Sequence, residues 1–307
     1  MFALRQAKTE YDYRRILAVE SRLCELRPAA WHFHFGGIGF ERYFFGDGGG
    51  DFFAYGYLLL DGDSPIGYAL CYRDEGEFRL ALLPGRERRI SESLALLERV
   101  FPSGRRIVTD GNETDPAFCA ALAGSGYRRG EETRFQAALD LREYAPEPVE
   151  WRDEQLEPLT DADIADRVRY ASLPTGAEIT RDMLDEYRRS ADAEHVRDLV
   201  VRSADSGEFA AYLSWWMDEN SGTVMLNPVA CVEKFRGREI ALRAIRSGLA
   251  EMKKRGFAFA YVDTGLQNLP ARRLYEKAGF VQTGRTFRFS KELDVNIQCN
   301  KRKQTDE

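Results

Sequence analysis

Two spacings of apolar residues alternate along this chain. Met225, Leu226, Val229, Ala230, Cys231 and Val232 form an apolar run of strand length, after which Ile240, Ala244, Ile245, Leu249 and Met252 recur at helical spacing. Phe257 to Val262 then reads as a further strand. Upstream, Asp161 to Ala171 and Thr180 to Arg189 read as helices with Ile164, Val168, Met183, Leu184 and Tyr187 inward, and Val196 to Val201 and Phe209 to Met217 read as strands. The first half repeats this order more faintly. Tyr68 to Tyr72 and Phe78 to Leu83 suggest a strand pair, and Leu94, Leu96 and Leu97 sit on a helix opened by Arg86-Glu87-Arg88-Arg89. Arg106 to Thr109 reads as a strand, Gly126-Tyr127 follows a short helix, and Arg134 to Leu141 reads as a closing strand. Between the halves, Leu141 to Glu150 contains two prolines and three glutamates and breaks the periodicity as a linker would.

The turn Phe235-Arg236-Gly237-Arg238-Glu239-Ile240-Ala241 concentrates chemistry. The first N–H groups of a helix have no partner within it and lie at its positive end, so a phosphate there gains hydrogen bonds and a favourable dipole. Arg236 and Arg238 add point charge. Pro228, inside the preceding strand, has no N–H and belongs at a bulge or an unpaired edge.

These elements resemble the GNAT superfamily of N-acetyltransferases, whose pyrophosphate loop reads Gln/Arg-x-x-Gly-x-Gly/Ala between the fourth strand and the third helix. Arg236 to Ala241 matches it. Asn268, Ala271, Leu274, Tyr275, Glu276, Lys277, Gly279 and Phe280 match the family's Asn-x-x-Ala-x-x-Leu-Tyr-Glu-Lys-x-Gly-Phe element at its usual distance. The resemblance implies an α/β (α+β) fold of two GNAT-like domains, each a mixed, mostly antiparallel sheet flanked by helices. Residues 1–140 would be a degenerate copy, 141–150 the linker, 151–295 the acetyl-CoA-binding domain and 296–307 a polar tail.

By the same resemblance the cosubstrate is acetyl-CoA. Its pyrophosphate would lie on Arg236, Gly237, Arg238, Glu239, Ile240 and Ala241, and its pantetheine arm along the backbone of Ala230, Cys231 and Val232 and the side chain of Asn268. Tyr275 would donate a proton to the leaving sulfur. A neutral amine, most simply a small molecule, would attack the thioester directly. Glu239 departs from the family pattern at the loop's central glycine: a carboxylate there suits the helix dipole but repels pyrophosphate, and Arg236 and Arg238 are expected to offset it. Asn227, which can orient a water but not take a proton, stands where related chains carry glutamate, and Asp218, Glu233 and Asp263 are alternative bases. A non-catalytic acyl-CoA-binding module and a protein acetyltransferase remain alternative readings.

The first half lacks the interior glycines of the loop in Gly85-Arg86-Glu87-Arg88-Arg89, and Leu122 falls where Tyr275 stands in the second half. One active site per chain is expected. The aromatic, glycine-rich segment Trp31-His32-Phe33-His34-Phe35-Gly36-Gly37, followed by Phe40, Tyr43, Phe44 and Phe45, reads either as a packing cluster or as an apolar lip facing a substrate groove. His32 and His34 are too few for a closed metal site, and no metal is expected.

Composition narrows the partners. A formal net charge of −6 argues against nucleic acid. The longest apolar run, Phe52 to Leu60, is too short to span a bilayer, and Met1 to Gln6 is followed by polar residues, so no membrane partner is expected. Five cysteines without CxxC spacing suggest reduced thiols and a cytoplasmic protein. The oligomeric state is not legible.

Overall fold

The computed structural model describes residues 1–30, 33–44, 52–170 and 178–294. Trp31, His32, Phe45, Ala171, Cys299 and the 296–307 tail lie outside them.

The first half runs β1 (Phe2–Gln6), α1 (Glu10–Leu26), α2 (His34–Phe44), α3 (Phe52–Tyr55), β2 (Gly56–Asp61), β3 (Ser64–Tyr72), β4 (Glu77–Leu82), α4 (Ile90–Glu98), β5 (Arg106–Asn112), α5 (Pro116–Gly124) and β6 (Arg128–Asp140). The second half runs β7 (Glu154–Pro158), α6 (Ile164–Arg169), α7 (Arg181–Arg189), β8 (Val196–Ser203), β9 (Phe209–Asp218), β10 (Thr223–Cys231), α8 (Ile240–Lys254), β11 (Phe259–Gly265), α9 (Leu269–Ala278), β12 (Val281–Gln282) and β13 (Thr286–Glu292). Local chemistry sets several of these boundaries. Thr9 caps α1 by accepting from the Asp12 amide at 3.3 Å, Asp115 caps α5 ahead of Pro116, and Thr180 caps α7. The apolar face of α1, with Tyr13, Ile16, Val19 and Leu23, is buried against β2 and β3. No helix among the described residues is long and apolar enough to cross a membrane.

The described strands form one sheet in the order β1-β2-β3-β4-β5-β13-β6-β11-β10-β9-β8-β7, with β12 beside β6. Most neighbours are antiparallel; β4–β5 and β10–β11 are parallel. The two halves therefore share strands at their junction. β6, the expected closing strand of the first half, pairs along its second part with β11, from Arg134 opposite Gly265 to Asp140 opposite Phe259. The C-terminal β13 inserts between β5 and β6. Leu141 is fully buried in the core of the second half, and the Lys253 ammonium donates to the carbonyls of Arg142 and Tyr144, so the proline-rich connection is held against α8.

Helices also cross the junction. α2 lies on β9 and β10, where a Cβ on Gly36 would come within 2.6 Å of the Trp216 Cβ. The missing side chain permits that approach. Fully buried Asp192 of the second half accepts from Tyr13 Oη at 2.7 Å, Tyr43 Oη at 2.9 Å and Arg14 at 2.5 Å, all from the first half.

Candidate active site

Strand β10 pairs with β11 only from Thr223 to Met225, opposite Phe259 to Tyr261, and then parts from it. On its other side β10 stays paired with β9, across a bulge between Leu226 and Val229 that contains Pro228. Trp216 Nε1 donates to the Asn227 carbonyl at 2.5 Å and fixes the bulge. Beyond Met225 the β10 edge facing β11 is thus open, with backbone groups an extended ligand can pair with.

At the end of that edge the chain makes the turn into α8. The first intrahelical bond there is Arg243 N–H to the Glu239 carbonyl at 2.9 Å, leaving the amides of Ile240, Ala241 and Leu242 without intrahelical acceptors. Glu239 caps α8 at φ 58°, ψ 16°, in the left-handed region, and Gly237 also has positive φ. The chain thus makes a glycine-type turn with glutamate at its centre. The Glu239 carboxylate lies outward, 3.5 Å from the Lys277 ammonium, with both groups well exposed. Arg236 is exposed, and its Nε donates to the Cys231 carbonyl at 3.3 Å.

The Asn268-to-Phe280 element is a helix with its start and stop. Asn268 accepts from the Ala271 amide at 3.3 Å and donates to Thr264 Oγ1 at 3.1 Å. Gly279, at φ 104°, ends the helix, and the Phe280 amide returns to the Tyr275 carbonyl at 3.0 Å. Tyr275 is 5% exposed, and burial, followed by the charge of Asp263, raises its phenol well above the ordinary tyrosine range.

One cavity of about 920 Å³ joins these parts. Of the residues expected at the site, Ala230, Cys231, Arg236, Gly237, Glu239, Ile240, Ala241, Asn268 and Tyr275 line it. Val232 and Arg238 do not: Val232 is buried in the core of the second half, and the Arg238 guanidinium lies 5.5 Å from the Phe235 ring. Of the candidate bases Asp218, Glu233 and Asp263, Asp263 lines the cavity, as does Asn227. Asp263 is held bidentately by Arg134, with Nε to Oδ1 at 3.1 Å. Asp218 is instead hydrogen-bonded to Ser21, Asn220 and Ser221, and Glu233 lies exposed on the turn before Arg236.

The opposite wall comes from the first half. Phe33, Gly37, Phe40 and Glu41 of the α2 region, Arg79 of β4 and Arg134 of β6 line the same cavity. The described residues of the aromatic, glycine-rich segment therefore both pack against the second half and face the groove. His34 belongs to the packing: Nδ1 accepts from the Gly36 amide at 2.9 Å, so Nε2 carries the proton and donates to Thr223 Oγ1 at 3.1 Å. Burial lowers its pKa to about 4, so it is neutral at pH 7.

Glu41 is the residue sequence reasoning missed. It is 6% exposed, and burial raises its carboxyl to about 7, opposed chiefly by the positive charge of Arg79 at 3.4 Å. In sequence it looks like a solvated helix charge. The signal against that was its setting, because Phe35, Ile38, Phe40, Tyr43 and Phe44 surround the helix on every face, which marks a buried helix.

Residues 163–280 match the family model described as "Acetyltransferase (GNAT) family". No curated protein sequence matches the chain. Among solved structures, a tandem GNAT protein from the clavulanic acid biosynthesis pathway is similar at 13% identity and a TM-score of 0.62, covering 95% of this chain and 98% of that one. A GNAT-family acetyltransferase from Colwellia psychrerythraea is similar at 12% identity and 0.61, over 94% and 99% of the two chains. A GCN5-related N-acetyltransferase from Sphaerobacter thermophilus gives 16% and 0.59, over 95% of each. At these identities the likeness establishes the fold, a tandem GNAT arrangement across nearly the whole chain.

Proposed function

We propose, from the match of residues 163–280 to the acetyltransferase (GNAT) family, that the chain transfers an acetyl group from acetyl-CoA to a small-molecule amine in the central cavity. The observation that carries this reading is the continuity of one cavity from the amides at the start of α8, along the open edge of β10, to Tyr275. Pyrophosphate would bind at the turn, with Arg236 adding charge and the outward Glu239 leaving the amides clear. The pantetheine arm would lie along Ala230 and Cys231 beside Asn268, delivering the thioester to Tyr275. The amine attacks the thioester carbon, and Tyr275, kept protonated by its raised pKa, donates to the sulfur as the C–S bond breaks. No metal is needed for this chemistry.

Acetyl-CoA at about a hundred times its dissociation constant is expected to stabilise the chain by about 2.7 kcal/mol. At about 2 to 4 °C per kcal/mol this is an upward Tm shift of roughly 5 to 10 °C. Arg236→Glu should remove most of the shift. No shift of the unaltered protein at millimolar acetyl-CoA would refute the cosubstrate assignment.

A further inference from the structure

Glu41 and Arg79 face the second half's cavity from the first half, and they are poorly matched to each other. Their closest approach is 3.4 Å, longer than a well-formed charge-assisted hydrogen bond. Glu41 Oε2 and Arg79 Nε, both buried, have no hydrogen-bond partner among the described residues. Leaving such groups unsatisfied is costly, and a ligand that satisfies both gains accordingly. The Arg79 guanidinium lies 4.3 Å from the centre of the Phe33 ring, which fixes its plane, and its side chain remains 25% exposed where it lines the cavity.

We propose that this pair is the acceptor site and that it selects amines carrying a carboxylate beside the amino group, acceptors of the amino acid type. The inference rests on the acetyl-transfer reading and adds the acceptor to it. The acceptor carboxylate binds Arg79, and its ammonium lies against Glu41. A bare amine leaves the Arg79 donor unmet, and a bare carboxylate is repelled by Glu41. Local charge favours a zwitterion over a phosphate-bearing acceptor. Arg79, Arg134 and Arg288 stand among Glu41, Glu77, Asp110 and Asp263, three cations against four acids, and Arg134 is engaged by Asp263 while Arg288 is engaged by Glu77 and Asp110. A dianion would enter a cluster with no surplus positive charge, whereas a zwitterion changes its net charge by nothing. Phe33 and Phe40 beside the pair suit an apolar side chain.

Glu41 then acts as base. It takes one proton from the acceptor ammonium; the freed lone pair forms the N–C bond to the acetyl carbon; the C–S bond breaks with its electron pair on sulfur; and sulfur takes the Tyr275 proton. The second nitrogen proton leaves as the amide forms and restores the phenol through solvent. The charged groups facing Glu41 are Arg79 and Glu77 on β4, Arg134 on β6 and Asp263 on β11. With its carboxyl at about 7, Glu41 is ionised and able to accept a proton above that pH, so kcat/KM should rise through about pH 7.

The test compares amino acids with their decarboxylated amines in acetyl-CoA-dependent thiol release, using L-phenylalanine against phenethylamine and L-leucine against isopentylamine. The expected result is a preference of about tenfold to a hundredfold in kcat/KM for the carboxylate-bearing member of each pair. Arg79→Gln should bring each pair within a few fold, and Glu41→Gln should lower kcat and abolish the rise through pH 7. Equal or better use of the decarboxylated amines would overturn the inference while leaving acetyl transfer intact. Binding of acetyl-CoA with no turnover of any acceptor would overturn both. The unaltered protein supplies the comparison if either variant fails to fold.

Discussion

Glu239 shows how a single residue can depart from a motif and keep its geometry. A side chain at φ 58° crowds its own carbonyl, a conformation that costs a non-glycine residue about 1 to 2 kcal/mol. The turn keeps this shape because Ile240 on one side and Phe235 on the other are both buried, fixing where the chain must pass. The Lys277 contact offsets little, since both partners are well exposed. Glu239→Gly should therefore raise Tm by roughly 2 to 4 °C, corresponding to a gain of about 1 kcal/mol, with acetyl-CoA affinity unchanged or improved. A lower Tm on thermal unfolding would contradict this reading of the strain. The geometry at this turn was legible in the sequence because it is local: Arg236 to Ala241 leads into the start of α8, and Asn268 to Phe280 holds both ends of α9. Glu41 and Arg79 were not legible. Nothing within either segment shows that the two meet across the junction.

Among the elements, α4 and α8 begin at comparable turns that differ in one decisive contact. At the α8 turn Glu239 lies outward, but at the α4 turn the Glu87 carboxylate folds back and accepts from the Gly85 amide at 2.9 Å. Backbone hydrogen bonds hold the Glu87 carboxyl below its ordinary range, so it remains charged where a phosphate would have to enter. Strands β4 and β5 also part, after the single pair Glu77 and Val108, yet the adjoining cavity is only about 160 Å³, and in its lining Glu20, Glu77, Glu87, Asp110 and Asp115 outnumber Arg27 and Arg79. Leu122, opposite Tyr275 in the repeat, is fully buried in the core. Calorimetric titration should accordingly find one acetyl-CoA per chain, with Arg86→Glu silent; two equivalent sites would contradict the assignment. Strand and helix identities followed from periodicity, which packing on a sheet imposes directly. Strand partners did not. The residues of β13 specify an extended segment, but its place between β5 and β6 depends on positions more than a hundred and fifty residues earlier.

At the scale of the whole molecule, that exchange of strands explains why one half can complete the other's site. β6 carries Arg134 to β11 and Asp263, while α2, admitted by Gly36 against Trp216, brings Glu41 and Phe40 over the open end of β10. The cavity therefore has one wall from the second half, proposed above for the cosubstrate, and an opposite wall from the first, proposed for the acceptor. Asp192, accepting from Tyr13, Tyr43 and Arg14, locks the two together. The central claim is that the acetyl thioester is cleaved in this cavity beside Tyr275, and it is tested most directly by removing one oxygen atom. Amine-dependent release of CoA thiol should be measured for the unaltered chain and for Tyr275→Phe under conditions in which chemistry limits the rate. A positioned acid predicts a loss of about a hundredfold to ten-thousandfold in kcat, with acetyl-CoA affinity within a few fold. An unchanged kcat would contradict the account and reduce Tyr275 to a packing residue of α9.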